Sequence, residues 1–256
     1  MNLDINKGFI FAGCSFTHGY GLQYYHTKEH LDNLEYDVPS ITDYEYNSGA
    51  EMFRRNNRFA SKVANHFNTW YVTREGVSGN DLENIAFIKM AFQEIELIDY
   101  LCIHKFQYEE ISDVIIQTTY VDRVLDLKIY QTEISKIELK EDILKYLATK
   151  LTYDYKQLCL HLESKGIRVH FIHATNDFKS EFEKDEYLHN KTIYIEGLSN
   201  SYFCINDLMS DGELANTIYN DTEFFGKKRI KDYHPSLVTH ALIADSIIKK
   251  LSNERN

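Results

Sequence analysis

The amino-acid sequence predicts an α/β protein whose mainly parallel sheet is covered by helices on both faces. Three observations predict it. Short apolar runs alternate with longer segments of helical period along the chain, the order in which parallel strands and their crossover helices arise. The first two of those runs end in glycine-bearing turns, where a strand can hand over to a helix. Finally, 256 residues, of which 43% are apolar and 26% charged, suffice for one large core and a single domain over 1–256.

The elements follow in order. "GFIFAG", residues 8–13, is continuously apolar and ends in glycine, as a buried strand does. Residues 22–56 are polar and without a sustained period, a long surface excursion. From Asn57 a helix is expected, because Phe59, Val63 and Phe67 recur every four residues with Ala60 and Ala64 beside them. "TWYVTREGV" is the second strand and "GVSGND" its turn; Asn80 or Asp81 then caps a helix with Leu82, Ile85 and Ala86 on one face. "IDYLCIH" (98–104) and "SDVIIQTT" (112–119) are both strand-like, the second the better central strand. Residues 120–139 remain ambiguous. From Glu141 a long helix is supported by Leu144, Leu147, Leu151, Tyr155, Leu158 and Leu162, and Gly166 stands where it stops. "IRVHFIHA" is the next strand, in which His170 and His173 fall on opposite faces, as core and edge packing explains. Residues 176–231 form a second polar, irregular excursion, and a helix at about 236–251 closes the chain, with Leu237, Ala241, Ala244, Ile248 and Leu251 buried. Both excursions exceed ordinary connections and are expected as insertions that shape the ligand crevice.

Charge and composition exclude several classes. A net charge of −11 argues against a general nucleic-acid or anionic-membrane binder, since phosphate contacts need a basic surface. Cys14, Cys102, Cys159 and Cys204 are far apart and form no CxxC pair, so they are expected as reduced core residues. No run is long enough to span a bilayer and no basic region precedes an apolar one at the N-terminus, so the expectation is cytoplasmic.

Three stretches carry residues suited to chemistry. "GCSFTHG" sets Ser15 at a strand's end, where a tight turn presents its hydroxyl at the sheet's carboxyl edge. "GVSGND" offers backbone N–H groups to a ligand oxygen. "KDYHPSLVTH" places Asp232 and His234 just before the last helix. A serine hydroxyl needs a base within hydrogen-bond reach and a carboxylate to orient that base, and His234 and Asp232 have that chemistry. The plainer readings are a turn serine, a helix-capping turn and a solvated loop histidine. His240 is expected to lie on the last helix in a structural role.

Together these stretches resemble the SGNH (GDSL-type) hydrolases over nearly the whole chain, "DYHPS" before an amphipathic helix being the most specific part. The resemblance implies a flavodoxin-like three-layer α/β/α sandwich, here with two long insertions. It implies an esterase that needs no cofactor or metal, in which Ser15 is the nucleophile, His234 the general base and Asp232 its orienter. Ser15 and Gly79 would give oxyanion-hole N–H groups. It also implies a small ester or acylated carbohydrate as substrate, with O-acetyl groups a reasonable class. Two departures stand out: one residue, Tyr233, separates Asp232 from His234 where the family has two, and "VIIQTTYVDR" lacks the third-block asparagine. Gln117, Thr118 or Thr119 is a candidate for the missing donor, and Asn176, at the end of the next strand, is another, weakly preferred to Gln117. Two other classes compete: a non-catalytic binding or structural module on this fold, and a metal-dependent hydrolase with His18, Asp232 and His234 around the ion.

Overall fold

A computed structural model describes residues 7–19, 22, 48–74, 79–92, 105–124, 140–210 and 235–255. Among these residues four parallel strands form a sheet: β1 (Gly8–Ala12), β2 (Tyr71–Thr73), β3 (Ile111–Thr118) and β4 (Arg168–His173), in the order β2-β1-β3-β4. Phe9 lies opposite Tyr71 on one side and Asp113 on the other, and Thr118 lies opposite His173. The chain thus leaves β1 in one direction to reach β2 and in the other to reach β3 and β4. The crevice at the carboxyl ends of β1 and β3 is therefore the topological switch point at which such sheets bind ligands.

Alternation along the strands builds a core on each face. Ile10, Val114, Ile116, Val169 and Phe171 share one face. They are covered by α4 (Asp81–Ala91) and α5 (Lys140–Ser164), the latter through Leu151, Tyr155, Leu158 and Leu162. Phe9, Phe11, Ile115 and Ile172 share the other face. There they meet α3 (Phe59–His66) and α9 (Leu237–Arg255), the latter through Ile243, Ile247 and Leu251. Gly166, at φ +80°, ends α5 in the left-handed conformation a glycine tolerates best. Among the described residues no helix is long and apolar enough to cross a membrane. Cys14, Cys159 and Cys204 are buried and free, and burial pushes the Cys159 and Cys204 thiols up, that of Cys204 to about 12.

Several expectations are corrected. The excursion at 22–56 contains a helix, α2 (Ser48–Asn57), and the stretch after Asn176 is built of short elements as far as it is described. These are α6 (Lys179–Lys184), α7 (Glu186–Lys191), the two-residue strands β5 (Ile195–Glu196) and β6 (Ser201–Tyr202), and α8 (Ile205–Ser210). Elements this short have no apolar period to read. On α4 it is Asp81, Asn84, Ile85 and Ile88 that are buried, while Leu82 is exposed. The buried stripe of α9 runs through Thr239, His240, Ile243, Ala244 and Ile247, with Leu237, Ala241 and Ile248 only half-buried. The strand expected at 98–104 lies outside the described residues.

Candidate active site

Ser15 opens α1 (Ser15–His18), a single helical turn separated from β1 by two residues, Gly13 and Cys14. The turn is forced by close packing. A β-carbon on Gly13 would stand 2.1 Å from Thr17 Oγ1 and 2.9 Å from Gln117 Cβ, so only glycine fits without displacement. Cys14 occupies the N-cap position, yet its side chain caps nothing. The cap comes instead from the neighbouring strand: Gln117 Oε1 accepts from the Thr17 N–H at 3.1 Å and from Thr17 Oγ1 at 2.7 Å. Its Nε2 donates to Cys14 Sγ (3.1 Å) and to the Thr118 carbonyl (3.3 Å). The far end of the turn closes at Gly19, φ +80°, whose N–H donates to the Ser15 carbonyl at 3.0 Å. Ser15 itself is only 4% exposed.

The Gly79 turn lies against this one. A β-carbon on Gly79 would approach the Gly13 carbonyl oxygen to 2.9 Å and Arg74 Nη1 to 2.4 Å, so the glycines of the two stretches touch. A capping box holds Gly79's side of the contact: Asn80 Oδ1 accepts from the Glu83 N–H at 2.9 Å, and Glu83 Oε2 accepts from the Asn80 N–H at 3.3 Å. Arg74 pairs with Glu83. Among the described residues neither the Ser15 N–H nor the Gly79 N–H has a hydrogen-bond partner, and none bonds to the Ser15 hydroxyl. Behind them Asp81, fully buried, ties α4 to the end of β3. It accepts from the Thr119 N–H (3.0 Å), Thr119 Oγ1 (2.8 Å) and the Tyr155 hydroxyl (2.5 Å). Burial pushes its carboxyl up to about 6, against the hydrogen bonds from Tyr155 and Thr119 that pull it down.

The side chains proposed for the missing amide are all engaged. Gln117 spends its amide on Cys14 and Thr118, Thr118 Oγ1 lies 2.9 Å from His173 Nδ1, and Thr119 is held by Asp81. Asn176 is exposed and donates to both oxygens of Asp207 at 2.9 Å. It follows β4, two strand spacings or about 10 Å from β1. Asp232 and His234 lie outside the described residues, which resume at Pro235. His240 is structural, as expected: it is buried, accepts from the Phe59 N–H at 3.2 Å through Nδ1, and stacks on the Phe59 ring. His173 is also buried, which pulls its pKa down to about 3 and leaves it neutral in ordinary buffers. Among the described residues no three His, Cys, Asp or Glu side chains cluster as metal ligands do. Sequence reasoning missed Thr17 and the full burial of Asp81; a Thr two residues after Ser15 and an Asp at the first helical position were the available signals.

A cavity of about 340 Å³ opens beyond β3, lined among others by Tyr120, Val121, Asp122, Lys145 and Asp177. The next residue of that turn, Arg123, reaches the Gly79 carbonyl at 3.5 Å. Neither protein-family models, nor curated proteins, nor solved structures match this chain.

Proposed function

We propose that the chain is a serine esterase of SGNH type, built on the three-layer sandwich of that family. Ser15 Oγ attacks an ester carbonyl while His234, oriented by Asp232, takes its proton. The alcohol leaves with that proton, and water then hydrolyses the acyl-enzyme to the free acid and serine. What supports this reading is one observation above all: the Ser15 and Gly79 N–H groups stand unpartnered on two touching turns at the sheet's carboxyl edge. A developing oxyanion needs such preorganised donors. With Gln117 and Asn176 committed to other partners, the oxyanion falls to the backbone alone. The cavity beside Tyr120 offers an aromatic edge and carboxylate acceptors to a hydroxyl-rich alcohol, in keeping with an O-acetylated carbohydrate as substrate.

A second reading, a catalytically silent module on the same fold, draws on Gln117, which stands on the strand where the family places its asparagine but braces the serine turn instead. Fluorophosphonate labelling separates the two. The esterase reading expects covalent modification of Ser15, abolished in Ser15→Ala and slowed at least 100-fold in His234→Ala, an order of magnitude typical of losing a general base. A wild-type chain that stays unlabelled at every pH from 6 to 9 supports the silent module.

A further inference from the structure

Arg58 is 4% exposed and occupies the single-residue break between α2 and α3. Its backbone is fixed on both sides: its N–H donates to the Arg54 carbonyl at 3.1 Å, and its carbonyl accepts from Ser61 at 3.1 Å and Lys62 at 3.3 Å. Its stem lies against the end of the serine turn, where a β-carbon on Gly19 would sit 2.9 Å from Arg58 Cβ. From there the guanidinium runs to β2. Nε donates to the Tyr71 hydroxyl at 3.3 Å, and the guanidinium carbon stands 5.2 Å from the centre of the Tyr71 ring. Nη1, buried, has no hydrogen-bond partner, and among the described residues no carboxylate pairs with the group.

An arginine cannot shed its charge at any ordinary pH, and a buried charge without a counter-ion is strongly destabilising. The chain has carboxylates to spare, with 39 acidic against 28 basic residues, yet among the described residues none is placed here. The face of the Tyr71 ring offers a cation only modest compensation. A second donor is idle nearby. Thr73 lies two residues beyond Tyr71 on the same face of β2, about 7 Å along the strand, and its hydroxyl is also buried and unpartnered. Both orphan groups call for an acceptor, and the fork of a guanidinium matches the paired oxygens of a carboxylate or phosphate.

We infer that Arg58 and Thr73 form a binding site for an oxyanion, the carboxylate or phosphate group of a ligand, beside the serine turn. Gly19, which Arg58 touches, follows Ser15 by four residues, one helical turn or about 6 Å. The stem of Arg58 thus borders the serine turn while its guanidinium lies at β2, and where Ser15 is catalytic the site makes the substrate an anionic ester that spans the two. The site itself does not depend on the esterase reading.

The test is thermal unfolding of the full chain at pH 7 with inorganic phosphate, succinate or chloride at matched ionic strength. The expected result is a midpoint raised by about 5 to 10 °C at a hundredfold excess of the binding anion over its Kd, with chloride inert. A shift with phosphate alone identifies a phosphate ligand, and one with succinate alone a carboxylate. Arg58→Met should abolish the shift and Thr73→Val should weaken it. Thr73→Val keeps the side chain's shape and carries the test if Arg58→Met does not fold. No anion-specific shift in the wild type, or an equal shift in the variants, overturns the site. Because the readout is binding, it gives the same answer whether or not Ser15 reacts with a fluorophosphonate.

Discussion

Asp81 holds three hydrogen bonds in a fully buried position, and its carboxyl still titrates near 6 because desolvation outweighs them. That shift fixes a pH dependence. The folded chain holds the proton more tightly than the unfolded chain, whose carboxyl titrates at its ordinary 3.8. The protonated group therefore stabilises the fold fully below about pH 4. That stability is lost as pH rises towards 6, and the dependence is flat above, with a span of about 3 kcal/mol. Asp81→Asn, which cannot titrate, removes the slope. In urea unfolding the stability difference between wild type and Asp81→Asn should shrink by that amount from pH 4 to pH 7. A difference that stays constant would mean that Asp81 titrates alike in both states. Gln117 carries a different lesson at this scale. An amide offers a donor and an acceptor, and composition alone does not say which one faces the site. Here the acceptor meets Thr17, so the residue braces the turn that carries Ser15.

The two glycine turns act as one element although 66 residues separate Gly13 from Gly79. Gly13 packs against the Thr17 side chain and Gln117 Cβ, and Gly79 against the Gly13 carbonyl and the Arg74 guanidinium, so an added methyl group forces a shift at each. Gly13→Ala and Gly79→Ala should each cost about 1–3 kcal/mol by overpacking. Because they meet at the Gly13 carbonyl, the double variant should depart from additivity by at least about 0.5 kcal/mol. A double-mutant cycle in urea measures this, and strict additivity would place the turns apart. Elements of this kind were partly legible. β1, β3, β4 and α5 announced themselves by apolar runs or a sustained period, and the serine and Gly79 turns by their glycines. α2 did not, because "SGAEMFRRNN" has only three apolar residues and what the chain buries at its end is Arg54 and Arg58. A helix whose buried face carries guanidinium groups reads as solvated. α4 misled for a related reason: its inward positions include Asp81, satisfied by Thr119 and Tyr155, and Asn84, satisfied by the Gln117 carbonyl on β3, partners that no local pattern reveals.

Across the whole molecule, the two ends of the sheet divide the labour. The carboxyl ends of β1 and β3 hold the candidate site, and the amino ends hold an ionic cluster. Asp113, near the start of β3, is fully buried, with Oδ1 2.8 Å from Arg168 Nε and Oδ2 3.0 Å from Arg168 Nη2. Arg255, in the last turn of α9, adds a bond to Oδ2 at 2.8 Å and stacks its guanidinium 4.2 Å from the centre of the Phe67 ring. His170 Nε2 lies 3.4 Å from Oδ1. Burial alone would raise the Asp113 carboxyl, but the close imidazole of His170 and the bonds from Arg168 outweigh it and hold the group well below the usual range. Its stability contribution is thus present above the unfolded value of 3.8 and fades only as pH falls through the lower folded value. The cluster locks the C-terminal helix to two strands at once. Asp113→Asn leaves two arginines short of a counter-charge and should cost about 3–5 kcal/mol. Arg255→Gln should cost less, because Asp113 keeps its paired contact with Arg168. Neither change touches the serine turn, so labelling of Ser15 by a fluorophosphonate, measured well below each variant's unfolding midpoint, should proceed at the wild-type rate. A large loss of labelling in a folded Asp113→Asn variant would mean that the two ends of the sheet are coupled, and that α9, which begins three residues after His234 in the sequence, transmits its seating to the site.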